Sequence, residues 1–484
     1  MFKVLYKKEL LENIQNSRFL LALVLCVVVI PLGFYVSQKD YSDRRQVYDE
    51  IVRDYSEMHK TVGDVMKEGG AAFRPPAALG FLSGGVESIL PSSVETRGYI
   101  MGGGANVDFN NARKVDNSFT ALFGRLDLAF IVSTVLAVLV MIFTFNAVAG
   151  EKERRTLAQV MANPVSRPVA ITAKMAAGTT LLGAAFLAGM LAGILLLVVL
   201  GLSPFGRPET IAPLAVGVGV SLLFLLAFYN FGLLVSSLTR GSITAMVALL
   251  SFWVATAMIL PKGSVVAAKI LLPAKSQQVV DLEKSQVRYQ ISNELGAAIV
   301  HLTETTPGIK DMSTDEYFKA RRAKSPAVEA FEKTQGEIQD AFKAKSHAAL
   351  DRIDAEFDQR KAREAALARN LARISPVSCL VHVLTELAGT GFMEEAKWRE
   401  TRTRFRQILD REIANKQHEI GFKDTWLTGF DKLDGNAAAP GIPPEPVPLE
   451  QALGAVWIDI VLLAVYAVLF FAGTYVAFLR YDVR

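Results

Sequence analysis

Six apolar runs punctuate the chain, at 18–37, 126–149, 173–201, 212–236, 241–261 and 453–479. Each reaches the length of about 20 residues that a helix needs to cross a bilayer. Ahead of the first, Phe2, Tyr6, Leu10 and Ile14 recur every four residues, with Lys3, Lys7 and Lys8 at polar positions. That spacing predicts an amphipathic helix over 1–17 lying on an anionic leaflet. A basic start before an apolar core also resembles a signal peptide. No small-x-small site follows Pro31-Leu-Gly-Phe, so the run is expected to persist as the first membrane helix.

Two long polar segments separate the runs. In 38–125, Val47, Ile51, Tyr55 and Met58 fall at helical spacing, and the Gly- and Pro-rich part from Gly69 to Gly104 reads as short strands and turns. In 262–452, Val280, Val287, Ile291, Leu295 and Leu302 line one helix face, Thr306-Pro-Gly breaks it, and Ser313 with Glu316 forms a capping box. From Pro326 to Ile374 apolar residues recur at near-heptad intervals, a helix of about 70 Å if unbroken, with a bend expected near Gly336. Ser375 to Gly391 is apolar but too short to span, and fits either an interfacial helix on the outer leaflet or a core helix of the outside domain. A last amphipathic stretch, Ala396 to Ile420, precedes a proline-rich linker from Gly435 to Pro448.

The distribution of basic residues orients these runs. Lys3, Lys7, Lys8 and Arg18 precede the first, Lys152, Arg154, Arg155, Arg167 and Lys174 lie between the second and third, Arg240 follows the fourth, and Arg480 and Arg484 follow the sixth. All fall on one side, which the positive-inside rule makes cytoplasmic. Both termini are then inside and both long segments outside, in a multi-pass protein of a bacterial cytoplasmic membrane.

Composition agrees with a composite of membrane and polar parts: 51% hydrophobic and 21% charged residues, with a mean hydropathy of +0.29. The net charge of +4 over 484 residues gives no support to nucleic-acid binding. Two cysteines make no disulfide framework, and five histidines without ligand spacing predict no metal site.

The stretch 150–167 is the one dense charge cluster between two long runs. Glu151 and Glu153 stand where a helix N-terminus favours negative charge, Leu157, Val160 and Met161 form an apolar patch, and Asn163-Pro164 ends the helix. On residue physics it is either a topology-setting loop or a short amphipathic helix presented to a partner, and the patch favours the partner.

Asn146-Ala-Val-Ala-Gly-Glu-Lys-Glu-Arg-Arg-Thr-Leu through Pro164-Val-Ser-Arg, with Lys174 beyond, closely resembles the Gly-Glu-Arg-Glu-x-Gly-Thr-Leu…Pro-x-Ser-Arg…Gly-Lys signature of ABC-2 type permeases, the membrane subunits of ABC exporters. Arg155 departs from it, since the family often has Gly there. Arg125-Leu-Asp, Leu79-Gly-Phe-Leu-Ser-Gly-Gly, Ile374-Ser-Pro and Leu387-Ala-Gly-Thr-Gly resemble the subgroup with large extracytoplasmic insertions, which includes relatives of the gliding-motility and nitrous-oxide-reductase maturation permeases.

The resemblance implies an all-α polytopic membrane protein in the type V exporter arrangement. It adds a mostly helical extracytoplasmic domain and a small α/β extracytoplasmic segment. It also implies a non-catalytic subunit that pairs with a second permease copy or paralogue. ATP and Mg belong to a separate cytoplasmic ATPase, because this chain has no P-loop. Residues 1–17 match the family's connecting helix and 150–172 its coupling helix. Expected ATPase-coupling residues are Glu151, Lys152, Glu153, Arg154, Arg155, Thr156, Leu157, Val160, Met161, Pro164 and Arg167.

Asp127, Asn146, Asn230 and Asp459 are candidates for a pathway or gate, because polar groups near the spans carry a desolvation cost. Leu82-Ser-Gly-Gly imitates an ATPase signature, but it lies in an outside segment and reads as turn glycines. The expected function is outward transport. The alternative is a mechanical transmitter, in which the outside helices act on a periplasmic or outer-membrane protein and nothing crosses the bilayer. Membrane lipid is the surrounding partner in either case.

Overall fold

The computed structural model describes residues 2–59, 71–87, 89–90, 92–95, 125–156, 159, 166–204, 208–420 and 447–480. They divide into two compact units, Met1–Leu260 with Arg373–Arg484, and Pro261–Ala372.

The first unit begins with α1 (Phe2–Gln15) and α2 (Ser17–Met58), separated by Asn16, whose side chain accepts from the Arg18 N–H as an N-cap. The sequence placed the end of the span at 37 and read helical spacing from Val47 to Met58 in the segment beyond it. Both stretches belong to α2, which runs unbroken for 42 residues. Lys39 with Asp43, Asp40 with Arg44 and Arg45 with Asp49 pair at i,i+4 and carry the helix out of its apolar part into polar surroundings.

Strands β1 (Ala71–Phe73) and β2 (Ser93–Glu95) pair antiparallel, with Ala72 opposite Val94, in the region expected to hold short strands. The second apolar run forms α3, which starts at Leu128–Phe130, passes through a π segment at Ile131–Leu136 and ends with Ala137–Thr144. A turn at 145–148 leads into α4 (Ala149–Glu153). The remaining membrane helices are α5 (Arg167–Val199), α6 (Ile211–Leu238) and α7 (Ser242–Leu271), the last with a π segment at Ala255–Ile259.

In the second unit, α8 (Gln277–Thr305) ends where Gly308 takes φ +81°, and α9 (Thr314–Arg322) starts on the expected Ser313–Glu316 capping box. Helix α10 (Pro326–Ala372) stays one element through Gly336. It packs against α8, with Lys284 paired to Asp354 and Glu294 to Lys345, so the two helices run antiparallel. Val280, Ile291 and Leu350 are buried, and Ile309, Val328 and Phe331 form a small core under the α8–α9 connection.

Back in the first unit follow α11 (Pro376–Leu387), α12 (Phe392–Ile420) and α13 (Leu449–Arg480). The sequence reading placed 262–452 in one outside domain. By its contacts the chain divides at Arg373 instead: the apolar face of α11, with Val377, Leu380, Val383, Leu384 and Leu387 buried, packs on α6 and α13 of the first unit. Helix α11 is thus a buried helix of the first unit.

Seven helical stretches among the described residues are long and apolar enough to cross a membrane. Six coincide with the expected spans. The additional one, Pro376–Phe405, has the lowest hydropathy at 1.2 and is interrupted between α11 and α12, where Gly389 takes φ +68°.

The core joins Ile30 and Phe34 of α2, Ile131 and Val140 of α3, Phe186 of α5, Phe224 of α6 and Leu463 of α13. Helices α2 and α5 approach closely at Gly189, where a Cβ would stand 2.6 Å from the Cys26 carbonyl oxygen. Residues 79–87 form a buried loop over the start of α3. The first free N–H groups of α3, on Leu128 and Ala129, donate to Phe81 O and Leu82 O, both at 2.9 Å.

Candidate functional site

The site is built on the turn between α3 and α5. The N-terminal N–H groups of α4 lack helical partners; Val148 and Ala149 give theirs to Ser236 Oγ of α6, at 3.1 and 3.0 Å, and that hydroxyl donates to Phe145 O. From the other side Arg18 donates to Asn146 Oδ1 at 2.7 Å and stacks over the Phe145 ring. Asn146, a gate candidate on sequence, thus holds this turn to the start of α2.

Successive residues on a helix point about 100° apart, so Glu151, Lys152 and Glu153 reach in three directions. Glu151 accepts from Lys174 Nζ of α5 at 2.6 Å, and Lys174 also donates to Glu9 of α1 at 2.9 Å. Lys152 donates to the carbonyls of Ser237 and Thr239 at the C-terminal end of α6. Glu153 accepts from the Ser242 N–H at 2.8 Å and its hydroxyl at 2.7 Å, at the N-terminal end of α7.

The signs suit the helix dipoles, with a cation on the carbonyl end of α6 and an anion on the amide end of α7. Three consecutive charges therefore tie α4 to α1, α5, α6 and α7. Arg154 and Arg155 are exposed beside them, and Arg155 takes φ +57°, a left-handed conformation that glycine adopts without strain. The position where this chain departs from the resembled signature is the position whose backbone favours Gly.

Thr156 Oγ1 lies 3.4 Å from Glu151 O. Arg167 donates to Leu479 O at the end of α13, at 2.7 Å. Leu157, Val160, Met161 and Pro164 lie outside the described residues, and with them the expected amphipathic helix beyond α4.

The other three candidates lie apart from this turn. Asn230 of α6 is buried and donates to Ala467 O of α13 at 3.0 Å, while Thr474 donates to Asn230 O. Asp127 caps α3, accepting from Phe130 N at 2.8 Å and Gly84 N at 2.7 Å. Asp459 of α13 is paired to Arg373 through both carboxylate oxygens.

Arg125, two residues before Asp127, bridges Glu87 and Asp40. Glu87 is fully buried. Desolvation raises its carboxyl, but Arg44, the Ala77 N–H and Arg125 outweigh that and hold it below the ordinary glutamate value.

The pattern of the family described as ABC-2 family transporter protein matches residues 3–483. The chain belongs to the ABC-2 transporter family. No curated protein and no solved structure matches it. As an ABC-2 chain it is a multi-pass membrane protein and the permease subunit of an ABC transporter.

Within this ABC-2 permease, sequence reasoning did not foresee Glu9, Arg18, Ser236 or Ser242 as parts of the site. Lys174 carried a signal as the last residue of the resembled signature, and Arg18 only as one of the basic residues that orient the runs. Glu9, Ser236 and Ser242 read as ordinary polar residues.

Proposed function

We propose that this permease moves its substrate outward across a bacterial cytoplasmic membrane, with both termini in the cytoplasm and a separate ATPase docked on the 150–167 segment. The basic residues around the spans support the orientation. The observation that carries the reading is the three-way tie of Glu151, Lys152 and Glu153, which gives one short element a grip on α1, α5, α6 and α7. A push on α4 would then be felt at once by four helices. The exposed Arg154 and Arg155 are left to meet an acidic surface of the ATPase.

The two groups of residues have separable roles. In proteoliposomes holding the permease and its ATPase, charge reversal at Arg154 and Arg155 is expected to release the ATPase. Lys152→Ala with Glu153→Ala is expected to leave it bound while export stops and hydrolysis loses its dependence on the permease. Full coupled export by both sets of variants would overturn the assignment.

A further inference from the structure

The chain leaves the first unit along α7 and re-enters it at Arg373. At its departure α7 changes to π geometry, over Ala255–Ile259. A π turn shifts the backbone bonding register, a change that is frequent at functional sites. Here Thr256 O accepts from Ser375 Oγ, 119 residues later, at 2.6 Å. The returning chain is held beside it: Arg373 donates to Asp459 through Nε at 3.0 Å and Nη2 at 2.9 Å, and the Tyr466 hydroxyl lies 3.1 Å from Arg373 O and 2.9 Å from Ile374 O. Asp459 and Tyr466 are two turns apart on α13, so both grips come from one face of it.

The pair is costly for what it contributes to stability. Asp459 is the only charged residue of α13 between Glu450 and Arg480, and its side chain is 1% exposed. Apolar residues of similar volume commonly stabilise as well as a buried ion pair does. A two-pronged guanidinium–carboxylate contact instead fixes direction.

The other end of α13 is held as well, since Arg167 of the candidate site donates to Leu479 O. From Asp459 to Leu479 is a rise of about 30 Å, the thickness of a bilayer core.

We infer that Arg373 and Asp459 are positioning residues that pass movement of α13 to both chain connections of the Pro261–Ala372 unit. This rests on the reading that ATP-driven movement enters near α4. It deepens that reading by giving the outside unit a mechanical input.

The test is backbone hydrogen exchange on the permease–ATPase complex in lipid nanodiscs, with and without a non-hydrolysable ATP analogue. In the native complex the analogue is expected to change exchange at 149–156 and within 277–372. Asp459→Asn, Arg373→Gln and the double variant are each expected to abolish the change within 277–372 to the same extent, leaving that at 149–156. Should the Asn variant fail to fold, Asp459→Glu keeps the charge and displaces the fork.

A response within 277–372 that survives in these variants, or effects that add as if independent, would overturn the inference. So would a native response confined to 149–156. Absence of any response at 149–156 would instead sink the coupling reading. A nucleotide-free measurement on the permease separates the two: Asp459→Asn should speed exchange at 256–260 and at 374–384 together, and unchanged exchange at 256–260 would refute the joint by itself.

Discussion

Lys174 and Glu151 meet at 2.6 Å with Glu9 on the far side of the same ammonium group, so one cation holds two carboxylates from different parts of the chain. The lysine side chain is only 10% exposed and lies at the start of a membrane helix. Removing the cation leaves two carboxylates facing each other with little water. For a buried pair that costs about 3–5 kcal/mol, and the low end applies because Glu151 keeps 24% of its side chain exposed. Lys174→Met is therefore expected to lower the melting temperature in detergent and to raise hydrogen exchange in α1. The triple variant with Glu9→Gln and Glu151→Gln should recover most of the loss, since it removes the repulsion together with the pair.

Gly85 meets a different constraint. It takes φ +44°, and a Cβ there would stand 2.2 Å from Thr390 O, the carbonyl that accepts the Val86 N–H. Gly201 takes φ +68° with nothing within 4 Å of a Cβ. Both substitutions to alanine incur the left-handed penalty of about 1–2 kcal/mol, but only Gly85→Ala also forces the 79–87 loop off the α11–α12 turn. Thermal unfolding of the two variants should show Gly85→Ala as clearly the more damaging. Equal losses would mean that the loop gives way freely.

The charges around Glu87 set a pH dependence. Its folded pKa is lowered, so it contributes stability that is fully present above the ordinary glutamate value and is lost as pH falls through the lowered folded value. Melting temperature measured from neutral to acid pH should fall below the ordinary glutamate range. Glu87→Gln should be less stable than the native protein at neutral pH and should flatten that acid slope. Arg44 and Arg125 would then share one fewer anion.

The six spans, the strand-and-turn region and the Ser313 capping box were legible because each is local: apolar length, glycine and proline spacing, and one i,i+3 pair decide them. The reach of α2 to Met58 was less so, since its apolar run ends near 37 and only i,i+4 charge pairs carry it further. The regrouping at Arg373 was not legible, because it depends on Asp459, 86 residues away, being within reach. The same holds for Glu151, Lys152 and Glu153. Their charge marked a candidate segment, but periodicity does not say that the ends of α5, α6 and α7 converge around it, so the bonds these residues make to their own chain were not foreseen.

Arg155 gives the last prediction, because its backbone and its side chain make opposite demands. At φ +57° a non-glycine residue carries a steric cost that glycine does not, about 1 kcal/mol, offset in part by the greater freedom glycine has when unfolded. Arg155→Gly should therefore leave thermal stability unchanged or slightly raised, whereas Arg155→Val, β-branched at the same angle, should lower it. Under the proposed coupling role the exposed guanidinium also meets the ATPase, so Arg155→Gly should weaken ATPase binding in a titration while the permease alone stays as stable as before. Undiminished binding with unchanged stability would confine the role of Arg155 to the turn and leave Arg154 as the basic contact to be tested.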